Sequence, residues 1–360
     1  MQTIAPPAAA PAAAPPAGPG VPRIVLLPDE RHRVAALAHE FARASASLDA
    51  QRTLQLAALM AHELPRPLRR LMTEFRLAGV PHAGFLISGL LVDGDALGAT
   101  PRSYTERPDR PELRHADAVL CLVGSLLGEP FSFSSQQGGR LILDLFPVPG
   151  HEFDQLGSGS TAMLDWHTED AFHPHRADWM VLLGLRNHDG VATTFAAMED
   201  IELSEEHRAV LFQKRFAILP DQSHTQGFNL ATGTDGAGED ERFRRIDAMA
   251  GRPEPIALLE GDPAAPWLRV DPPFMHTNPL DPEASEAQDA LLAAIEAKLT
   301  DVVVGPGDLF VIDNKRAVHG RRPFAARYDG TDRWLKRINL TADLRRSAGS
   351  RGGDHGRAVL

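Results

Sequence analysis

The spacing of apolar positions changes along the chain. Residues 28–41 have helical spacing with Asp29 as a start signal, and the same spacing predicts helices over 47–62, 67–76 and 116–127. Residues 83–92 read as a strand set among these helices. After Leu127 the pattern turns to short apolar runs over 140–146, 161–167, 179–186, 191–195, 308–312 and 337–341. Gly, Pro and Asp break these runs, as they do between strands. The pattern predicts a mainly β fold, a double-sheet jelly roll (double-stranded β-helix), with helices packed outside it. Those helices come from the N-terminal third and from 284–299, and no internal repeat is present.

Composition refines this picture. With 360 residues and 43% hydrophobic content, the chain can bury a large core as one domain, read here as 23–345. Residues 1–22 are nearly all Ala and Pro, lack the basic start and leucine-rich core of a secretory signal, and read as a disordered tail. Residues 346–360 read as a flexible tail. The net charge of −11 argues against a nucleic-acid surface. No apolar run reaches membrane-spanning length. A cytoplasmic location is expected, and the oligomeric state is left open. The single cysteine, Cys121, excludes an intramolecular disulfide and lies in an apolar helical run, as a buried structural thiol would.

The candidate chemistry starts at Asp165-Trp-His-Thr-Glu-Asp-Ala-Phe172. In an extended strand, His167 and Glu169 point to one face, whereas Asp170 points to the other. A second histidine, His319, lies far downstream in Ala317-Val-His-Gly-Arg-Arg322. Two histidines and one carboxylate are the ligand set of a non-haem iron(II) oxygenase site. His173, His175 and His188 follow the pair in a Pro-containing turn and a polar loop, and are not taken as ligands. Arg333 lies 14 residues after His319 in a segment that reads as a strand. Its guanidinium could hold a carboxylate through two parallel hydrogen bonds, which suits a metal-chelating 2-oxoacid.

Four segments together resemble the clavaminate synthase-like family of iron(II)- and 2-oxoglutarate-dependent oxygenases. They are His167-Thr-Glu-Asp-Ala-Phe-His-Pro174, Gly184-Leu-Arg-Asn187, Val191-Ala-Thr-Thr194 and Ile312-Asp-Asn-Lys-Arg-Ala-Val-His-Gly-Arg-Arg322. The resemblance covers roughly residues 80–345 and points to the free amino acid hydroxylases of peptide-antibiotic pathways. It implies Fe(II) at His167, Glu169 and His319, with 2-oxoglutarate and O2 as cosubstrates. It also implies a 2-oxoglutarate carboxylate held by Arg333 and Thr194.

For the amino acid substrate, the resemblance implies that Arg337 holds the α-carboxylate. Gln137, with Gln136 as the adjacent alternative, would meet the α-ammonium together with Glu169. Leu156 and Ser158 would line the pocket, Ser223 would lie in a lid, and Asp271 would meet the far end of the side chain. Arginine and lysine relatives usually carry a second Asp two residues beyond this position, where this chain has Pro273. The implied reaction is hydroxylation of an unactivated β or γ carbon of a free L-amino acid, arginine first. Lysine, citrulline, asparagine or a modified arginine, and desaturation in place of hydroxylation, stay open. A zinc hydrolase and a non-catalytic jelly-roll binding protein are the readings from other classes.

Overall fold

The computed structural model describes residues 20–45, 51–234, 240–278, 280–352 and 356–360. Most strands fall into two sheets. The larger has nine strands. Its centre runs Gly84–Ser88, Leu309–Asp313, Trp179–Arg186, Trp334–Thr341 and Glu129–Phe133, with Ile142–Leu145 also paired to Trp334–Thr341. The smaller has four strands in the order Thr300–Val303, Ala192–Ala197, Ala317–Arg321, Leu164–His167. Neighbouring strands within this smaller sheet are antiparallel.

Side-chain alternation shows how the layers stack. Met180, Leu182, Phe310, Ile312 and Leu335 of the larger sheet share one buried cluster with Phe195, Ala197, Val302 and Ala317 of the smaller. The two sheets therefore face each other across that cluster. The alternate residues Val181, Leu183, Leu185, Val311 and Ile338 point the other way. They pack with Phe41, Leu54, Phe75 and Leu120 of helices Pro28–Ala44, Gln51–Met60, Arg66–Ala78 and Pro111–Gly124. With both faces covered, all eight residues of Trp179–Arg186 are buried, which is why this run is apolar without interruption. On the outer face of the smaller sheet, Trp166, Ala196 and Val318 pack with Leu211, Ile246 and Leu291 of helices Glu205–Leu211, Glu241–Gly251 and Pro282–Glu296.

The strand Trp334–Thr341 carries polar residues on both faces. Lys336 is fully buried on the helix side, 2.6 Å from Asp117 and 3.1 Å from Asp144. Arg107 bridges the same two carboxylates at 2.6 and 2.8 Å, and Trp334 Nε1 donates to Asp144. Two cations balance two carboxylates, so no buried charge is left uncompensated. Removing one partner of such a group typically costs roughly 3–5 kcal/mol. The group locks the helix Pro111–Gly124 and the strand Ile142–Leu145 to the strand whose opposite face presents Leu335 and Arg337.

The ends of the chain depart from expectation. Most of the stretch expected as a disordered tail lies outside the described residues. Val21, however, is buried between the sheets, and Pro22 accepts a backbone hydrogen bond from Leu86. Within 346–360, expected as a flexible tail, the described strands Arg351–Gly352 and Ala358–Val359 instead extend the larger sheet. Arg351–Gly352 pairs with Ala358–Val359, which pairs in parallel with Glu129–Phe133. Val359 is buried against Phe131, Phe133 and Ala177, and that contact anchors the segment.

Candidate active site

His167 ends the strand Leu164–His167, and His319 is central in Ala317–Arg321. The two face each other in register, with ring centroids 4.7 Å apart. Gly320, beside His319, permits the close strand approach. A Cβ there would stand 2.5 Å from the Leu164 carbonyl oxygen and 2.7 Å from Thr194 Oγ1.

Glu169 joins them by a different route from the extended geometry expected. The strand ends at His167, and Asp170 has φ 51° in the left-handed region. Asn314, fully buried, holds this turn. Its Oδ1 accepts from the Glu169 backbone N–H at 2.7 Å, and its Nδ2 donates to the Glu169 and Ala177 carbonyls. Asn314 stands inside a motif noted in the sequence, but no local pattern marked its side chain as the clamp.

Glu169 Oε2 lies 3.6 Å from His167 Nε2 and 3.3 Å from His319 Nε2. These three atoms lie within 4.8 Å of one another, and Oε2 is buried with no hydrogen-bond partner. His167 Nδ1 lies 2.8 Å from the Asp165 carbonyl, which makes Nδ1 a donor and turns Nε2 toward Oε2. A divalent cation fits this donor set, and the orphaned oxygen is the position it would satisfy. A second group, Asp170, Asp221 and His224, is equally close-set. There, however, both His224 nitrogens and both Asp170 oxygens already have partners.

Burial disfavours the ionised form of Glu169, but Arg337 and the two imidazoles outweigh it and hold its carboxyl well below the usual range. Burial likewise opposes charge on His167, yet Glu169 and Asp271 raise it to about 9. In His319 burial prevails and lowers it to about 4. Of the two rings, only His167 is drawn toward the charged form, and a metal would displace that extra proton.

One cavity collects most of the residues singled out in the sequence: His167, Glu169, His319, Arg333, Arg337, Gln137, Leu156, Ser158, Ser223 and Asp271 all line it. Thr194 does not. Its hydroxyl is buried against Gly320 without a hydrogen-bond partner, whereas Thr193 lines the cavity and accepts from Arg333 at 3.2 Å. Gln137 spends its amide on the Asp144 backbone. Gln136, also on the wall, donates to Asp170 and Ser223 and leaves its Oε1 without a partner.

The cavity is electrically divided. Arg333 is buried with no carboxylate partner among the described residues, and burial with Arg321 nearby lowers it to about 9. Arg321 also lines the cavity, donates only to backbone carbonyls, and is lowered by burial to about 10. Arg333 reaches Thr193 of the strand Ala192–Ala197, and Arg321 reaches the Ser160 and Ala162 carbonyls. Elsewhere on the wall, Thr168 bonds the Val270 carbonyl, which brings Asp271 alongside the end of the ligand strand.

Asp271 is pushed by burial to about 8, with Asp221 and Glu169 adding to the rise against the pull of His167. Asp221 itself lines the cavity, a position the sequence reading passed over in favour of Ser223. The two aspartates leave the same two-stranded ribbon, Phe216–Ile218 with Met275–Thr277, where Leu219 N–H donates to the Phe274 carbonyl. Pro273 is also on the wall.

Two histidines and a carboxylate lining a cavity, with two buried guanidiniums that have no carboxylate partner among the described residues, define a metal-dependent site of the non-haem oxygenase type. The model of the taurine catabolism dioxygenase TauD, TfdA family matches residues 113–339, and the chain belongs to that family. It is 42% identical to enduracididine beta-hydroxylase of Streptomyces hygroscopicus over 91% of this chain and 96% of that protein. It is 37% identical to L-ornithine/L-arginine 3-hydroxylase of Catenulispora acidiphila over 90% and 96%. Among solved structures it resembles the non-heme iron oxygenase OrfP in complex with Fe, succinate and (3S)-hydroxy-L-Arg. That match has a TM-score of 0.88 and 40% identity, covering 94% of this chain and 100% of the other.

Proposed function

We propose that this protein is an iron(II)- and 2-oxoglutarate-dependent oxygenase that hydroxylates a side-chain carbon of a free, guanidine-bearing L-amino acid, arginine or an arginine-like residue. The observation that carries the reading is the division of charge across the cavity. Arg333 and Arg321, neither with a carboxylate partner among the described residues, stand near each other, and Asp271 stands near His167, Glu169 and Asp221. A dicarboxylate cosubstrate suits the first group and a cationic side chain the second. The named activities of the hydroxylase relatives fit both.

In this reading His167, Glu169 and His319 hold the iron. When bound, the metal supplies the activation of dioxygen that is coupled to decarboxylation of 2-oxoglutarate to succinate. The protein binds, orients and keeps water out. Arg333 anchors the cosubstrate, with Thr193 at hand and Thr194 as the position the family resemblance implies. Arg337 takes the α-carboxylate of the amino acid, and Glu169 with Gln136 or Gln137 takes its ammonium. Leu156, Ser158 and Ser223 line the path of the side chain, and Asp271 with Asp221 faces its end. A peptide-bound residue would offer no free carboxylate to Arg337 and no free ammonium to Glu169 and the glutamine, and so would forgo both contacts in a closed site.

The scaffold is proposed to be a double-stranded β-helix in a single domain that takes in residues 23–345. No described helix is long and apolar enough to cross a membrane, and we place the enzyme in the cytoplasm, acting in peptide-antibiotic amino acid biosynthesis. The test is incubation of the protein with Fe(II), ascorbate, 2-oxoglutarate and a panel of amino acids including arginine, enduracididine, ornithine, lysine, citrulline and asparagine. Gain of one oxygen by a guanidine-bearing member, with matching succinate, is expected. Oxidation of a neutral member alone would overturn the substrate class. His167→Ala and His319→Ala should both be inactive.

A further inference from the structure

Immediately after Glu169, the left-handed turn at Asp170 sends the next carboxylate to a separate set of partners. Asp170 Oδ1 accepts from His224 Nε2 at 2.9 Å and from Gln136 Nε2 at 3.2 Å, and Oδ2 accepts from Asn339 Nδ2 at 3.2 Å. His224 is fully buried, and its second nitrogen meets Ser135 Oγ at 2.7 Å. Phe133 and Phe172 pack edge-on against its ring, with centroids 5.2 and 4.8 Å away. One residue earlier, Ser223 Oγ accepts from the same Gln136 amide at 2.7 Å.

These contacts join four pieces of chain at one buried point: the end of the ligand strand, the strand of Arg333 and Arg337, the segment holding Gln136, and the segment carrying Asp221, Ser223 and Phe228 over the cavity. A buried imidazole with both nitrogens engaged is costly to replace by an apolar group, because it leaves a carboxylate short of a donor. Here that carboxylate adjoins a proposed metal ligand in sequence. We infer that His224 is a positioning residue: through Asp170 it fixes the cavity-covering segment in the alignment that amino acid binding and coupled turnover require. The inference rests on the function proposed above. Arg333 bonds Thr193, and neither takes part in the hydrogen bonds of this junction, so the cosubstrate side is expected to be indifferent to it.

The experiment compares His224→Leu with His224→Gln, whose amide nitrogen can still donate to Asp170. In the Leu variant the KM for the amino acid should rise about tenfold or more, with the KM for 2-oxoglutarate within about twofold of wild type. More succinate should form per hydroxylated product. The Gln variant should recover most of both. Amide hydrogen exchange over 219–234, which needs no turnover, should speed by about tenfold in the Leu variant and stay near wild type in the Gln variant. A Leu variant that loses thermal stability but keeps its KM and coupling would overturn the inference. So would equal rises in both KM values, or a Gln variant as impaired as Leu. A wild-type protein inert toward every amino acid would sink the proposed function instead. The exchange measurement would still decide the role of His224, and unchanged exchange in the Leu variant would overturn it whatever the substrate.

Discussion

Arg337 is ion-paired with Oε1 of Glu169, the carboxylate whose other oxygen lies between His167 and His319. One guanidinium therefore sets the charge of a candidate metal ligand. In the function proposed above, the substrate carboxylate would take up donors of Arg337 and its ammonium would compensate Glu169.

Arg337→Gln separates the two roles. Losing a charged hydrogen-bonded pair costs about 2–3 kcal/mol, so the KM for the amino acid should rise roughly 30- to 150-fold, with 2-oxoglutarate little affected. The same change removes the positive charge that holds the Glu169 carboxyl down, so its pKa should climb. Protons then compete with metal at higher pH. Iron affinity, titrated between pH 5.5 and 7.5, should fall more at the acidic end in the variant than in wild type. Parallel profiles would show that Arg337 does not govern the ligand.

Arg333 makes a different prediction, because it has a hydroxyl neighbour in Thr193 but no carboxylate partner among the described residues. Arg333→Gln should raise the KM for 2-oxoglutarate by two orders of magnitude or so, corresponding to about 3 kcal/mol, and that for the amino acid far less. Since burial already disfavours its charge, the variant should be at least as thermostable as wild type without cosubstrate, and should gain less melting temperature when 2-oxoglutarate is added. An equal rise in both KM values would move the anchor elsewhere, with Arg321 the next candidate.

Local pattern was enough to find what depends on local pattern. Trp179–Arg186 was legible because both its faces are buried, and the helices Pro28–Ala44 and Arg66–Ala78 because one face is. Thr300–Val303 was missed because it follows a helix almost without a break and is only partly buried. Glu129–Phe133 was missed because Pro130 interrupts a run that reads as a turn. His167, Glu169 and His319 were legible as residue types at family spacing, although the bend that brings Glu169 in depends on Asn314, 145 residues away. Asp221 and Arg321 were not singled out. Each acquires its significance from what stands across the cavity, which no one-dimensional spacing reports.

Asp271 offers the sharpest test of substrate charge. Burial raises its pKa to about 8, with Asp221 adding to the rise. At neutral pH most of the unliganded protein therefore carries it protonated. A cationic side chain needs the carboxylate, so binding must lower this pKa and expel a proton whenever the pH is below about 8. Affinity for arginine should accordingly strengthen as pH rises from 6.5, by close to tenfold per unit at first, and level off above about 8, since only the ionised fraction binds. Calorimetry at pH 7 in buffers of different ionisation enthalpy should show nearly one proton released. Asp271→Asn should flatten the profile, abolish that release and weaken arginine, while sparing a neutral ureido analogue such as citrulline. A wild-type affinity independent of pH between 6.5 and 8.5, or a release of protons that survives Asp271→Asn, would show that the cation is held by another group.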